Sequence, residues 1–229
     1  MQNEKLIAIL ERVLEGYYIP MAELEEVIAT LREEAAAKNA KATGKQDLYK
    51  AMMAVIRSSK KHYPYKEELQ GSWIDDGKQY VSNGYMLIEN SGTPLDLPTL
   101  PDDVEPMLVQ PIMKARAEKE YPDVLSCPTI AELKSGIKEQ KALAKCKCDK
   151  LKDVRYHLGS GHVANTKYLQ IAVQATGSTT IHAENRTAGC DDSQVGELWF
   201  ESDDGTVRVL VLPIRGSRSD DFIGFNYSK

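Results

Sequence analysis

Apolar residues near the start of the chain recur at intervals of three and four, the spacing that places side chains on one face of an α-helix. Residues 4–15 and 21–35 both follow this pattern, with a break from Gly16 to Pro20 between them, so we predict a helical hairpin. The alanine-rich segment 35–44 is predicted to be a linker that completes a first unit over residues 1–44. The hairpin packs against the main domain or, alternatively, serves as a dimerisation or partner-docking arm.

Two β-hairpins are predicted around Asp-Gly pairs, because this dipeptide suits the positive φ angles of a type I′ turn. The first turn is Asp76-Gly77 and the second is Asp204-Gly205, and β-branched or aromatic residues flank both pairs. The sequence therefore indicates one construction used twice.

A segment with helical spacing of apolar residues precedes each hairpin, at about 45–61 in the first half and around 168–176 in the second. A helix followed by a hairpin in both halves predicts a duplicated, pseudo-symmetric α+β domain over residues 45–215. An insertion at about 91–154 separates the halves, and residues 216–229 are predicted to be an extended or partly ordered tail.

The insertion begins with a proline-rich stretch that cannot form a long helix. A second connecting loop is predicted around Tyr121–Val124, and a helix starts near Thr129, where Glu132 three residues later completes a capping box. This helix carries a line of lysines at spacings of four, three and four: Lys134, Lys138, Lys141 and Lys145. The line is a solvated face or, alternatively, a site for an anionic partner such as a phosphate backbone.

A basic line is also expected on the helix at 45–61. Lys50, Arg57 and Lys61 fall within about 20° of one line when residues advance by 100° each. Leu48, Met52 and Val55 lie on the opposite side. The pattern predicts one face turned to the core and one basic face turned to solvent.

Composition adds few restrictions. Hydrophobic residues make up 42% and charged residues 28% of the chain, as in ordinary globular proteins, and no apolar run reaches the length of a membrane span. The start of the sequence lacks the features of a secretory signal, so we expect a cytoplasmic protein with reduced cysteines. The net charge of -5 argues against a wholly basic nucleic-acid coat, although local basic patches are compatible with it.

Short motifs in the chain resemble segments of the bacterial DNA polymerase sliding clamp (beta clamp) family. They are Ser82-Asn83-Gly84-Tyr85-Met86-Leu87, similar to a Thr-Asp-Gly-Tyr-Arg-Leu turn; Tyr121-Pro122-Asp123, similar to Tyr/Phe-Pro-Asp; Asn165-Thr166-Lys167-Tyr168-Leu169, similar to Asn-x-x-Tyr-Leu at a helix start; and Leu212-Pro213-Ile214-Arg215, similar to the Met-Pro-Met-Arg that ends the last strand. The resemblance covers about residues 45–90 and 155–215, and the order of the motifs agrees with the duplicated domain.

The resemblance implies a DNA-clamp-like fold whose helices face double-stranded DNA and contact phosphates without reading bases. The residues expected in this role are Lys50, Arg57, Lys61 and Lys167. Contacts to phosphates make this binding independent of sequence. Because Gln170 and Gln174 make the surface near Lys167 less basic than that of a clamp, we also expect the binding to be weak. The family also binds partner peptides beside its last strand, a role that would fall to Leu212, Pro213 and Ile214, and an ordinary packing cluster at an edge strand is the alternative reading of these three residues.

The chain departs from the family in domain number. A bacterial clamp subunit has three such domains and a closed ring needs six, whereas this chain has one together with a helical arm, so a ring would require a homo-oligomer. The sequence favours a non-catalytic replication accessory or processivity-type factor that works with polymerase or other replication proteins. The alternative is a protein-interaction module that keeps the clamp-like fold without binding DNA.

An enzyme is the third hypothesis, with His157 and His162 as candidate acid-base or metal-binding groups. The sequence has no nucleophile elbow, no paired metal motif and no dinucleotide-binding glycines. The histidines lie in a glycine-rich segment that is typical of a tight turn. We therefore expect no catalysis, no cofactor and no bound metal.

Overall fold

The computed structural model describes residues 2–118, 121, 123–146, 154–158, 162–183, 196–214 and 224–225. The chain divides into two compact units, the first formed by Met1–Gln46 with Leu95–Leu97 and the second by Asp47–Pro94 with Pro98–Lys229. None of the helices in the described part of the chain combines the length and the apolar character that a membrane crossing requires.

The first unit contains two helices, α1 (Gln2–Leu14) and α2 (Met21–Ala42), so the predicted helical hairpin is confirmed. Its small core joins Ile9, Ile19 and Val27, and Leu24 packs against them. The predicted linker at 35–44 is wrong in conformation, because α2 continues to Ala42. Alanine has the highest helix propensity, and two of the alanines in this stretch are buried.

The second unit contains the other described α-helices, a short 3-10 helix (Glu67–Leu69) and all the described strands. In chain order these are α3 (Gln46–His62), β1 (Trp73–Asp75), β2 (Lys78–Ser82), β3 (Met86–Asn90), α4 (Gln110–Ala117), β4 (Asp123–Ser126), α5 (Ile130–Cys146), β5 (Arg155–His157), β6 (Val163–Asn165), α6 (Thr166–Thr176), β7 (Thr180–Ala183), β8 (Leu198–Glu201), β9 (Val207–Val211) and β10 (Gly224–Phe225). The predicted α+β class is confirmed, whereas the clamp-like identity of the fold stays a prediction.

Seven of the described strands form one antiparallel sheet in the order β1-β2-β3-β9-β8-β7-β4. The sheet is symmetric about the central β3–β9 pair, apart from the additional edge strand β4. Moving outwards from the centre, β3 corresponds to β9, β2 to β8 and β1 to β7. Each half is thus one helix followed by three strands, α3-β1-β2-β3 and α6-β7-β8-β9. The predicted duplication is present in the topology.

The two faces of this sheet pack against different layers, because alternate residues of a strand point to opposite sides. One face carries a cluster covered by residues of the insertion: Trp73, Tyr80, Leu87, Trp199 and Leu210, with Leu100, Val109 and Met113. The alternating positions, such as Val81, Ile88 and Phe200, are fully buried on the other face. Since α6 contacts β8 and β9, this second face lies beneath a layer of helices that includes α6, called the helical layer below.

The two Asp-Gly turns are not equivalent, which corrects the sequence prediction. Asp76 and Gly77 have φ angles of 48° and 73° and form the expected two-residue turn between β1 and β2. Asp204-Gly205 lies in a longer loop in which only Gly205 has a positive φ, and this loop joins β8 to β9, the counterparts of β2 and β3. Asp-Gly favours any tight reversal of the chain, so it cannot specify which pair of strands the reversal connects.

The insertion contains more regular structure than predicted. The segment around Tyr121–Val124, predicted to be a loop, leads directly into β4, which extends the sheet beyond β7. The helix α4 was not predicted. The capping box of α5 is confirmed, because the backbone N–H of Thr129 donates to a Glu132 carboxylate oxygen at 2.8 Å. In the tail, β10 pairs in parallel with β5, and the rest of 216–229 lies outside the described residues.

A buried carboxylate lies in the central ladder of the sheet. Glu89 is 1% exposed and accepts a hydrogen bond of 2.9 Å from the Tyr80 hydroxyl. Burial raises the pKa of the Tyr80 phenol, and the bond to Glu89 raises it further. Lys78 Nζ and Arg208 Nη1 lie 3.3 and 3.5 Å from the two carboxylate oxygens of Glu89. Because Arg208 is the cross-strand partner of Glu89, these contacts support the pairing of β3 with β9.

Replacement of Glu89 tests this network. Glu89→Ala leaves the Tyr80 hydroxyl and two cations without their shared acceptor, so we expect the free energy of unfolding to fall by about 2–4 kcal/mol in urea titrations. Glu201→Ala is the matched control, because this carboxylate also contacts Arg208 but is 35% exposed, and its loss should cost less than about 1 kcal/mol. Equal losses in the two variants would contradict a structural role for the buried carboxylate.

Candidate functional site

The helices α3 and α6 run in opposite directions and are linked at both ends. Near the start of α3, Asp47 Oδ1 accepts a hydrogen bond of 3.3 Å from Gln174, which lies near the end of α6. At the other end, Tyr63 directly follows α3, Tyr168 lies in the first turn of α6, and both rings contact Tyr85. The pair of helices therefore has one end at Asp47 and the other end at the tyrosines.

The basic face predicted on α3 is exposed. Lys50, Arg57 and Lys61 are exposed, whereas Leu48 and Val55, like Met52, are buried in the core. The predicted division of this helix into a basic face and a core face is confirmed. Contact of the three cations with DNA stays a prediction.

The fourth predicted cation, Lys167, is exposed in the first turn of α6. Asn165 caps this helix, since its Oδ1 accepts a hydrogen bond of 3.0 Å from the Lys167 backbone N–H. Because the two helices are antiparallel, Lys167 lies at the same end of the pair as Lys60 and Lys61, which are both exposed in the last turn of α3. Positive charge is thus concentrated near the tyrosines.

A pocket of about 730 Å³ opens at this end of the helix pair. Its walls come from the ends of both helices, the turn before β3, and the segment after β9. The lining residues are His62, Tyr63, Tyr85, Arg155, Asn165, Tyr168, Glu197, Leu212, Pro213 and Ile214. The three residues predicted to bind a peptide all line this pocket, and binding of a peptide stays a prediction.

Backbone hydrogen bonds hold the segment after β9 in the pocket wall. The Leu212 N–H donates to the Tyr85 carbonyl at 2.8 Å, and the Ile214 N–H donates to the Val163 carbonyl at 2.8 Å. Leu212 remains 38% exposed. The segment therefore has a fixed backbone while it presents apolar side chains to the pocket.

The tyrosine rings form a continuous cluster. The ring centroids of Tyr63 and Tyr85 are 6.2 Å apart, and those of Tyr85 and Tyr168 are 6.3 Å apart with planes inclined by 17°. The hydrogen bond with the Tyr85 hydroxyl is the main cause that raises the pKa of Tyr63 to about 12, and burial adds to it. The Lys66 ammonium lies 5.7 Å from the centre of the Tyr63 ring.

The turn before β3 fixes the position of Tyr85. Asn83 is 1% exposed, and its Oδ1 accepts hydrogen bonds from the backbone N–H groups of Tyr85 at 3.0 Å and Met86 at 2.9 Å. Gly84, which lies between Asn83 and Tyr85, has a φ of 82°, a conformation that glycine adopts readily. These are residues of the motif on which the sequence resemblance rests.

The candidate acid-base histidines lie outside the pocket lining. His157 pairs with Val163 between β5 and β6, and His162 is fully buried. The predicted turn at 159–161 lies outside the described residues. Within the described ranges, no group of three or more His, Cys, Asp or Glu side chains is placed to hold a metal ion. Glu197, the carboxylate of the pocket lining, forms an ion pair with Arg116.

Sequence reasoning found part of this site and missed the rest. Tyr85 and Tyr168 belong to the quoted motifs, but nothing in the sequence links them to Tyr63 or Arg155, which only the fold brings together. On α5, Lys134 and Lys138 are exposed as expected. The side chains of Lys141 and Lys145 lie outside the described residues.

The turn of Asn83 can be tested by mutation. Asn83→Ala removes the acceptor of two backbone N–H groups, that of Met86 buried and that of Tyr85 partly buried, so we expect a loss of about 1–3 kcal/mol in the free energy of unfolding. Asp204→Ala is the control, because Asp204 accepts comparable hydrogen bonds in an exposed loop, and its loss should be smaller. Chemical denaturation of both variants measures the difference, and an undiminished stability of Asn83→Ala would refute the assigned role of this side chain.

Comparisons of this chain with protein-family models, with curated proteins and with solved structures found no match. The resemblance to sliding clamps therefore rests on the short motifs and on the duplicated order of helix and strands.

Proposed function

We propose that this chain is a non-catalytic, clamp-like accessory of DNA replication, a processivity-type factor that holds double-stranded DNA against the exposed surface of α3 and α6. The observation that supports the proposal is the pairing of two antiparallel helices over a duplicated sheet, with cations on their solvent side. Binding alone, without a cofactor, is sufficient for this role, which we place in the cytoplasm.

The cations of this surface suit the phosphate backbone. Lys50, Arg57 and Lys61 lie along α3, and Lys167 adds a fourth charge from α6. Lysine and arginine contacts to phosphates carry no sequence information, so binding is sequence-independent and falls steeply with salt. The net charge of -5 opposes approach of DNA from other directions and keeps the affinity low.

A single domain of this kind does not encircle a duplex, so we propose that copies associate. Among the described strands, β1 and β4 lie at the two edges of the sheet, where pairing with another copy is possible, and Ile74 and Val124 are exposed on them. Polymerase or other replication proteins are the proposed partners of the assembly.

Charge reversal on α3 tests DNA binding. The variant Lys50→Glu/Arg57→Glu/Lys61→Glu should abolish detectable binding of a blunt duplex, or lower the slope of log K against log salt by about 3, close to one unit for each lost phosphate contact. Fluorescence anisotropy with labelled duplex at two salt concentrations measures this.

The matched control is Lys114→Glu/Lys134→Glu/Lys138→Glu, which makes the same change in net charge with exposed lysines of α4 and α5. It should bind DNA with an unchanged salt slope. Loss of binding in the control with retention in the α3 variant would assign DNA to the lysine line of α5 and overturn the proposal. Absence of duplex binding by the unmodified protein would overturn it as well.

A second candidate function is a protein-interaction module with a clamp-like fold that does not bind DNA. The pocket favours it, because Leu212, Pro213 and Ile214 present apolar surface in a cavity of about 730 Å³, within the size range of ligand sites. In this case Leu212→Asp/Ile214→Asp should abolish capture of a replication protein, while the α3 charge-reversal variant retains it. Capture by both variants would contradict this candidate.

A further inference from the structure

The tyrosine cluster at the end of the α3–α6 pair has exposed aromatic rings, which binding of a duplex to the helices does not require. Tyr65 is 74% exposed and Tyr85 is 48% exposed, although both rings take part in contacts with Tyr63. We propose that this cluster, formed by Tyr63, Tyr65, Tyr85 and Tyr168, binds single-stranded DNA by stacking its bases. The inference rests on the proposed function, because it extends the path of DNA beyond the helix surface.

The arrangement of the rings suits unpaired bases. Tyr85 stacks with Tyr168 at an inclination of 17°, and Tyr65 meets Tyr63 edge to face at 85°, so ring faces of different orientation adjoin one another. Proteins that bind single strands without sequence preference stack successive bases on such aromatic side chains, since every base has a π-face.

The charges around the rings favour a polyanion. Lys60, Lys61 and Lys167 are exposed at this end of the helices, and the Lys66 ammonium lies 5.7 Å from the Tyr63 ring. The acidic group of the pocket, Glu197, is paired with Arg116. In proteins that bind single strands, a positively charged groove follows the phosphate backbone and aromatic side chains stack the bases. The rings and the surrounding cations of this site provide both features. An apolar peptide would use the rings but would gain nothing from the cations.

The shape of the site distinguishes a single strand from a duplex. A concave pocket of about 730 Å³ admits unpaired bases, whereas the bases of a duplex are enclosed in its stack. Lys61 and Lys167 belong both to the proposed duplex surface and to the rim of the tyrosine cluster. A duplex that ends on the helices can therefore continue as a single strand into the pocket, so the expected ligand is a duplex with an overhang.

The experiment compares three labelled ligands by fluorescence anisotropy with the full chain: a thymidine oligonucleotide, a blunt duplex, and the same duplex with a thymidine overhang. We expect the overhang to raise affinity at least about fivefold over the blunt duplex, the lower limit for one stacked base. Tyr65→Leu/Tyr85→Leu should remove this advantage and leave blunt-duplex affinity unchanged.

The matched control is Tyr17→Leu/Tyr18→Leu, which removes two tyrosines of the first unit that are 63% and 86% exposed. It should keep the full overhang advantage. If the double variant of the cluster fails to fold, judged by circular dichroism, Tyr65→Leu alone should still reduce the advantage, because this ring is the most exposed of the four.

The outcomes separate the two proposals. Binding of the oligonucleotide without binding of the blunt duplex would support the tyrosine site and refute the duplex surface. Equal affinity for blunt and overhanging duplexes would refute the tyrosine site and leave the duplex surface standing. Failure to bind the oligonucleotide, together with tyrosine-dependent binding of a leucine-rich peptide, would assign the pocket to a protein partner and overturn the inference.

Discussion

The antiparallel pairing of β3 with β9 is the interaction on which the rest of the structure depends. It runs from Met86 opposite Val211 to Asn90 opposite Val207 and joins the two halves of the duplicated domain in one continuous sheet. Without it, each half would have only three strands of its repeat beneath one helix. Because it lies at the centre of the palindromic order, it also determines that α3 and α6 lie next to each other.

The two ends of this central ladder have different chemistry. At one end, the buried Glu89 is held by Tyr80, Lys78 and Arg208, so a shift of register would leave a carboxylate without partners in the core. At the other end, the backbone bond from Leu212 to Tyr85 extends the pairing by one step into the pocket wall. The ladder thus fixes the position of the tyrosine cluster relative to the helices.

The insertion between the halves decides which surface is available for a large ligand. Leu100, Val109 and Met113 of the insertion cover the sheet face that carries Trp73 and Trp199, and its helix α5 packs against α6 on the other side. The other face is covered by the helical layer, whose solvent side bears the cations. In the proposed complex, DNA therefore contacts charged side chains along the helices. At one end of the helix pair it contacts aromatic rings on which bases can stack.

The sequence by itself determined the features that depend on residues near each other in the chain. Periodic apolar residues placed α1, the first part of α2, α3 with its two faces, and α6. Asp76-Gly77 placed the first turn, and Thr129 with Glu132 placed the start of α5. Short-range steric and hydrogen-bonding preferences are sufficient for these features. The lining role of Leu212, Pro213 and Ile214 was also found, through a motif.

The tertiary structure alone decided which distant segments meet. It made the two Asp-Gly turns inequivalent, converted the segment after Tyr121 into the edge strand β4, and brought Tyr63, Tyr85 and Tyr168 together. Strand partners and ring contacts depend on burial across the whole domain, and a local pattern contains no information about them. The basic line of α3 could be predicted from residue spacing. Its position beside an aromatic pocket depends on the antiparallel arrangement of two helices that are far apart in the chain.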